Sequence, residues 1–454
     1  MASMDQNGAS PFRDRGQVRM VLTAGLGFFT DAYDLFIIGT VTTILTPIWL
    51  LSTTQLMWLN SMSLLAAVAG ALAFGRLADR LGRRTMALVE ALVLAAAAIL
   101  SAFSPSFTFL LVMRIILGIA VGGDYSTSSV IASEFSRQKT RGRLIASVFA
   151  MQGLGLLVGP LYAAALLGAG VPHDVAWRIM LGSGALPALA VAYLRFTMPE
   201  TPRFLAGVKG DDDAAAASAQ VIFGAASQPA SMVRGRVTAK LTSRLFLLRL
   251  IGTAGSWFLL DIAFYGNGVS SGLILKALLP GAALLHTILI SAGIFLVFAL
   301  PGYWVAAWTI DHIGRRFMQA MGFVIMGAAY GAIFLIHAIS AVPVLFLVVY
   351  GISYFFIEFG PNTTTFVYPA EVFPVNVRAT ANGISAASGK TGAFLGAFLF
   401  PLVLVDLKLQ GLMGILALAS LAGAALTLLV LPEPRGLALE EASGEVGSSG
   451  PLAG

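Results

Sequence analysis

A chain of 454 residues that is 57% hydrophobic and 11% charged, with a mean hydropathy of +0.86, holds too much apolar surface for a water-soluble fold. The formal net charge of +6 invites a nucleic-acid partner, but the distribution of the basic residues argues against one, and the lack of cysteine excludes disulfides and thiolate metal sites.

Hydrophobic segments of about 20 residues, the length that crosses a bilayer core, recur twelve times. They lie near 19–46, 56–76, 85–104, 107–132, 144–170, 176–197, 245–272, 283–310, 317–340, 343–368, 379–404 and 409–431. The polar segment ahead of the first has no separate short apolar run ending at a small-residue cleavage site, so a removable signal peptide is not expected. Of the 28 Lys and Arg, only five lie outside the tails and every second loop. Arg114 and Lys390 fall inside spans; Arg178, Lys276 and Lys408 fall on the opposite side. Positive charge collects on the cytoplasmic face, so both termini are expected in the cytoplasm, with the chain in the cell membrane.

The first span, in GLGFFTDAYDLFIIG, carries Asp31 and Asp34 on one helix face. An acid at the centre of a spanning helix costs roughly 2.5–3.5 kcal/mol, so the pair is expected to have a task, and the task read from it is carrying protons. Other ionisable residues within spans are Glu90, Arg114, Asp124, Asp261, Glu358 and Lys390, with Glu134 at a cytoplasmic end. With Arg114 as the single buried arginine of the first half, pairing does not account for Asp31, Asp34, Glu90 and Asp124 together, and some are expected to titrate. Gln152 sits early in the fifth span. The segment 206–243 is small, polar and charged and reads as a cytoplasmic linker with room for one surface helix. The seventh span sets Trp257, Asp261 and Tyr265 on one stripe, the pattern of a polar cavity wall. In the tenth, Pro361 of GPNTTTF is expected to break the helix beside Asn362 and free backbone groups toward a cavity.

The punctuation of the chain repeats. GRLADRLGRR at 75–84 returns as WTIDHIGRR at 308–316, and PETPR at 199–203 as PEPR at 432–435. Glu134 and Arg141 return as Glu371 and Arg378, and the Gly155/Gly159 pair as Gly392/Gly396. This parallel duplication predicts an all-α membrane protein of twelve transmembrane helices in two pseudo-symmetric six-helix bundles, with a substrate cavity between them. The divisions read from it are a tail at 1–18, a bundle at 19–205, the linker at 206–243, a bundle at 244–432 and a tail at 433–454.

The D-R-x-G-R-R loops resemble the signature of the major facilitator superfamily. TDAYDLF at 30–36, GGDYSTSSVIASEF at 122–135, WFLLDIAFYGNG at 257–268, FGPNTTTFVYPAEVFP at 359–374 and NGISAASGKTGA at 382–393 together resemble its phosphate:proton symporter family. The resemblance implies the major facilitator fold and import of inorganic phosphate with protons by alternating access. It implies that phosphate is held at Tyr125, Gln152, Trp257, Asp261, Tyr265 and Asn362, with a basic contribution from Lys390. It also implies a proton route through Asp31 and Asp34, with Arg114 and Asp124 beside them; Glu134 is grouped with this route. Dihydrogen phosphate carries protons, so an acid such as Asp261 can accept a P–OH bond that sulfate cannot offer. The chain departs from the family pattern at Asn382, where a histidine is common, and at Glu358, where the residue is usually uncharged.

No HExxH or GxSxG motif is present, and histidines at 173, 286, 312 and 337 do not form a metal pattern. GISAASGKT at 383–391 spaces its glycines wrongly for a nucleotide loop. An enzyme, a cofactor, a metal, nucleic acid and an obligate protein partner are therefore not expected; phosphate, protons and the lipid bilayer are the expected partners. Alternatives are a proton symporter for an organic acid or a sugar, and a phosphate-sensing receptor.

Overall fold

A computed structural model describes residues 15–136, 138–223, 243–279 and 281–444. Parts of both tails and of the 206–243 linker lie outside the described residues. Among the described residues, twelve helices are long and apolar enough to span a membrane. They are α1 (Arg15–Trp49), α2 (Thr53–Leu81), α3 (Arg83–Ala102), α4 (Phe107–Glu134), α5 (Arg141–Gly168) and α6 (His173–Phe196) in the first half. The second half holds α7 (Arg244–Val269), α8 (Leu284–Ile313), α9 (Arg315–Leu335), α10 (Pro343–Val372), α11 (Arg378–Asp406) and α12 (Lys408–Val430).

Hydrogen-bonding side chains mark several starts. Ser52 and Gln55 form a reciprocal capping box on α2, Ser106 accepts from Phe109 N on α4, and Ser243 accepts from Phe246 N on α7. Outward surfaces carry exposed Leu72, Leu92, Ile99, Leu186, Leu399, Leu418 and Leu429, the residues a helix turns toward lipid.

The duplication governs packing. In the first half α1 packs on α5, α2 on α4, and α3 on α6; in the second, α7 packs on α11, α8 on α10, and α9 on α12. Glycine permits the close approaches: a Cβ on Gly155 would meet Phe29 O of α1, and one on Gly392 would meet Phe258 O of α7. The halves meet where α2 packs on α11 and α5 on α8. Three helices are irregular, and α8 widens into a π turn over Phe295–Ala299. α6 is interrupted at Gly184, whose missing side chain leaves room for the Asp34 carboxylate. α10 widens into a π turn over Glu358–Asn362, where Gly360 leaves helical geometry (φ −107°, ψ −106°) ahead of Pro361. The backbone breaks from helical geometry there, so the helix kinks ahead of Pro361 as its sequence predicts, and the wider turn takes up the missing donor. In the linker, a helix at Asp212–Phe223 lies against the first half, with Ser218 Oγ donating to Glu200 O at 2.5 Å.

Candidate functional site

Polar side chains from both halves converge at mid-depth on the seam. Tyr125 of α4 and Tyr265 of α7 share a hydrogen bond at 2.9 Å between hydroxyls, and Gln152 Nε2 donates to Tyr125 Oη at 3.2 Å. Lys390 of α11 donates to Asp261 Oδ2 at 3.2 Å and Tyr265 Oη at 2.9 Å. Its ammonium also lies 3.8 Å from the Tyr125 ring centre and 4.2 Å from that of Tyr265, so the cation is held by an anion and two π faces. Trp257 sits within hydrogen-bonding reach of Asp261, one helical turn away. Asn362, on the π turn, donates to Tyr303 Oη at 2.8 Å and to Glu358 Oε2 at 2.5 Å. All seven residues assigned to substrate from the sequence are buried and fall in this one cluster or directly beside it. Phe28, Phe149 and Phe366 pack on Tyr125 and form its apolar wall.

The acids of the first half form a separate group. Asp34 is fully buried with neither carboxylate oxygen hydrogen-bonded, while Arg114 Nη1 donates to its backbone carbonyl at 2.9 Å. Asp31 Oδ2 is likewise without a partner. Asp124 does not pair with Arg114. Its Oδ1 accepts from Arg195 at 2.5 Å and from Ser128 at 2.5 Å, and Arg195 also lies 3.8 Å from Glu90. The expectation that Arg114 is the single buried arginine of this half is corrected: Arg83, Arg141 and Arg195 are buried as well, and Arg195 is the one that meets these acids. The reason is that α6 continues to Phe196 and packs on α3, which buries a side chain that a lone helix end would extend into water.

Glu134 stands apart from these acids, at the helix end where the sequence puts it. It lies at the end of the molecule that carries the basic turns, far along α4 from Asp124, in a network that ties the halves. Arg378 Nη1 of the second half donates to Glu134 at 3.2 Å, Arg83 lies 3.5 Å away, and Thr201 donates to it at 2.6 Å. The other half mirrors this: Glu371 accepts from Arg315 of its own half at 2.8 Å and from Arg141 of the first half at 2.8 Å. Two aspartates complete the exchange. Asp79 of α2 accepts from Thr380 N at 2.7 Å at the start of α11, and Asp311 of α8 accepts from Arg143 N at 2.8 Å at the start of α5. Each half therefore caps a helix of the other, where the positive end of the helix dipole favours an anion.

The PETPR and PEPR repeat has a physical reason here. Glu200 accepts from Arg83 N and Arg84 N at the start of α3, and Glu433 accepts from Arg315 N and Arg316 N at the start of α9. Both starts follow a glycine of positive φ, Gly82 (+114°) and Gly314 (+99°). Burial pushes the Glu200 carboxyl above its usual range despite these backbone donors. At the opposite end a cleft opens between the halves, lined by Thr40, Thr43, Asn60, Ser270, Lys276 and Thr287. Its floor is Phe36, whose ring lies tilted with its centre 5.4 Å from that of Tyr265.

The family model for sugar (and other) transporters matches residues 20–445. The chain belongs to that family. This transporter is 36% identical to the inorganic phosphate transporter 1-11 of Oryza sativa subsp. japonica over 95% of its own length and 88% of the relative's. It is 34% identical to the inorganic phosphate transporter 1-4 of Arabidopsis thaliana over 94% and 92%. Its fold matches a proton:xylose symporter bound to 6-bromo-6-deoxy-D-glucose with a TM-score of 0.81 at 20% identity, covering 94% of this chain and 98% of the other. A partially occluded inward-open xylose transporter from E. coli gives 0.73 at 19%, over 93% and 99%. The transporter is thus a multi-pass integral membrane protein of the major facilitator fold, and its motifs and relatives place it with the phosphate:proton symporter family.

Proposed function

We propose that this protein is a proton-coupled symporter that imports inorganic phosphate by rocking its two six-helix halves. The observation that carries the reading is the buried Lys390–Asp261 pair ringed by Tyr125, Tyr265 and Gln152 at the seam. Arriving phosphate competes with Asp261 for the ammonium, takes hydrogen bonds from the two phenols, the Gln152 amide and the Trp257 indole, and returns a P–OH to the Asp261 carboxylate. The near neutrality of the lysine–aspartate pair lets the site accept one negative charge without burying a large net charge.

Protons travel by a separate set, Asp31 and Asp34, whose unpaired oxygens leave them free to bind and release H⁺. Arg114 and the Asp124–Arg195 pair flank them and tune that exchange. The Glu134 and Glu371 networks act as the cytoplasmic gate, and the cleft above Phe36 as the external mouth. Both termini then face the cytoplasm and the protein sits in the plasma membrane, with its basic turns inside. Protonation together with phosphate neutralises the cavity, which lowers the cost of sealing it from water and permits reorientation.

Purified protein in liposomes should accumulate labelled phosphate when the outside is acidic. Arsenate should block it, whereas sulfate, benzoate and glucose should not. Competition by a sugar or an organic acid in place of arsenate would move the substrate to that class, and binding with no flux would make the protein a sensor.

A further inference from the structure

Asn362 has no amide hydrogen left to offer. One goes to Tyr303 Oη at 2.8 Å and the other to Glu358 Oε2 at 2.5 Å. Glu358 itself is 0% exposed, its Oε1 has no partner, and among the described residues it makes no ion pair. The groups that face it from each neighbouring helix are Asp261 on α7, Tyr303 on α8, Tyr330 on α9 and Tyr354 on α10. Across the seam α5 presents the uncharged Phe149 and Gly153 to Tyr303. The cation of α11, Lys390, is engaged by Asp261. An ionised Glu358 is therefore a second negative charge beside the anion site, facing another acid and occupying one of the donors an anion needs. Burial without a cation disfavours that ionised form.

We propose that Glu358 is a proton-binding site in the C-terminal half, and that it must be protonated before a tetrahedral oxyanion engages Asn362 and Tyr303. The inference rests on the phosphate reading above. A proton from water adds to the free oxygen and forms an O–H. The neutral carboxyl then loosens its hold on the Asn362 amide and donates to an anion oxygen, while the freed amide hydrogen turns to the same anion. When the anion leaves, the proton returns to water and the amide to the carboxylate. This acid is distinct from Asp31 and Asp34 in both helix and surroundings.

The test compares Glu358→Gln with the parent in liposomes, measuring the apparent affinity for labelled phosphate between pH 5.5 and 8 and the protons moved per phosphate. One obligatory proton steepens the loss of affinity by about tenfold per pH unit above the pH at which the group titrates. The parent should show that extra slope and the variant should lose it, with one proton fewer per phosphate; phosphate's own ionisation is common to both and cancels. Equal slopes and equal stoichiometry in the two proteins overturn the role of Glu358 while leaving phosphate transport intact. A parent that moves no phosphate at any pH overturns both readings. If Glu358→Gln does not fold, Glu358→Asn stands in for it, and Glu358→Asp, which keeps the acid, should retain the parental slope; loss of the slope in the aspartate variant counts against the proposal.

Discussion

At its basic end the molecule treats its halves as interchangeable, and at mid-depth it does not. Glu134 with Arg378 mirrors Glu371 with Arg141, Asp79 on α11 mirrors Asp311 on α5, and Glu200 mirrors Glu433. Around the seam the correspondence fails. Gly155 faces Phe29 and Gly392 faces Phe258, so the turn of α1 that carries Asp31 and Asp34 corresponds to the turn of α7 that carries Leu260 and Ala263. Asp261 in turn corresponds to Ala32. The network at the basic end is thus a property of the duplicated scaffold, whereas the unpaired acids of α1 and the Lys390–Asp261 pair stand at non-equivalent positions.

Substitutions at matched and unmatched positions test this asymmetry directly. The largest effect is expected from Asp34→Asn, which should abolish phosphate accumulation driven by a pH gradient while binding stays measurable; accumulation equal to the parent would refute the coupling role of Asp34. Next come the gate acids. Glu134→Gln and Glu371→Gln each strip a buried charge from its arginines, an effect of about 3 kcal/mol or roughly a hundredfold shift toward the open basic end. The chain lacks cysteine, so Ala379→Cys, a position buried against Asp79, reports that opening by its alkylation rate. The two variants should agree within a few-fold, and a tenfold disparity would show that the mirror symmetry is geometric only.

Asp261→Asn should weaken phosphate binding by about tenfold, the worth of roughly 1.5 kcal/mol for one charge-assisted hydrogen bond, in equilibrium binding to detergent-solubilised protein. Unchanged affinity would remove Asp261 from the site. The smallest effect concerns Glu440, which joins the segment after α12 to Arg203 at 3.3 Å. Burial opposes its ionisation, but the Arg203 guanidinium outweighs burial and holds the carboxyl below its usual range. A carboxyl lowered on folding contributes stability above its unfolded value and loses it as the pH falls through the folded one. Glu440→Gln should therefore lower the melting temperature slightly at pH 7, by less than about 1 kcal/mol in stability, with the difference fading as the solution is acidified below pH 4, near the ordinary range of this side chain.

The spans, the duplication and the polar stripe of α7 were legible because each is written in one helix: length, period and repeated punctuation need no partner. Asn362 beside Pro361 was legible for the same reason. Arg195 was not, because a single helix end cannot show that α3 will cover it. Asp79 and Asp311 carry a signal in the repeated loop, and each pairs with the arginine four residues on; their second partners are backbone donors of the opposite half, which a single loop cannot show. Tyr303 lacked any motif. Its place beside Asn362 and Phe149 comes from how α8 packs across the seam on α5.

The widened turn of α10 has a mechanical meaning for the pathway. One surplus residue in a turn offsets everything beyond it by about 100° of helix rotation. Asn362 sits on the widened turn and Glu371 beyond it on the same helix, so the irregular backbone at Gly360 sets the angular phase between the amide at the seam and the acid of the basic-end network. Removing a single residue there would leave both groups in the chain and misalign one with respect to the other, uncoupling occupancy of the cavity from its closure.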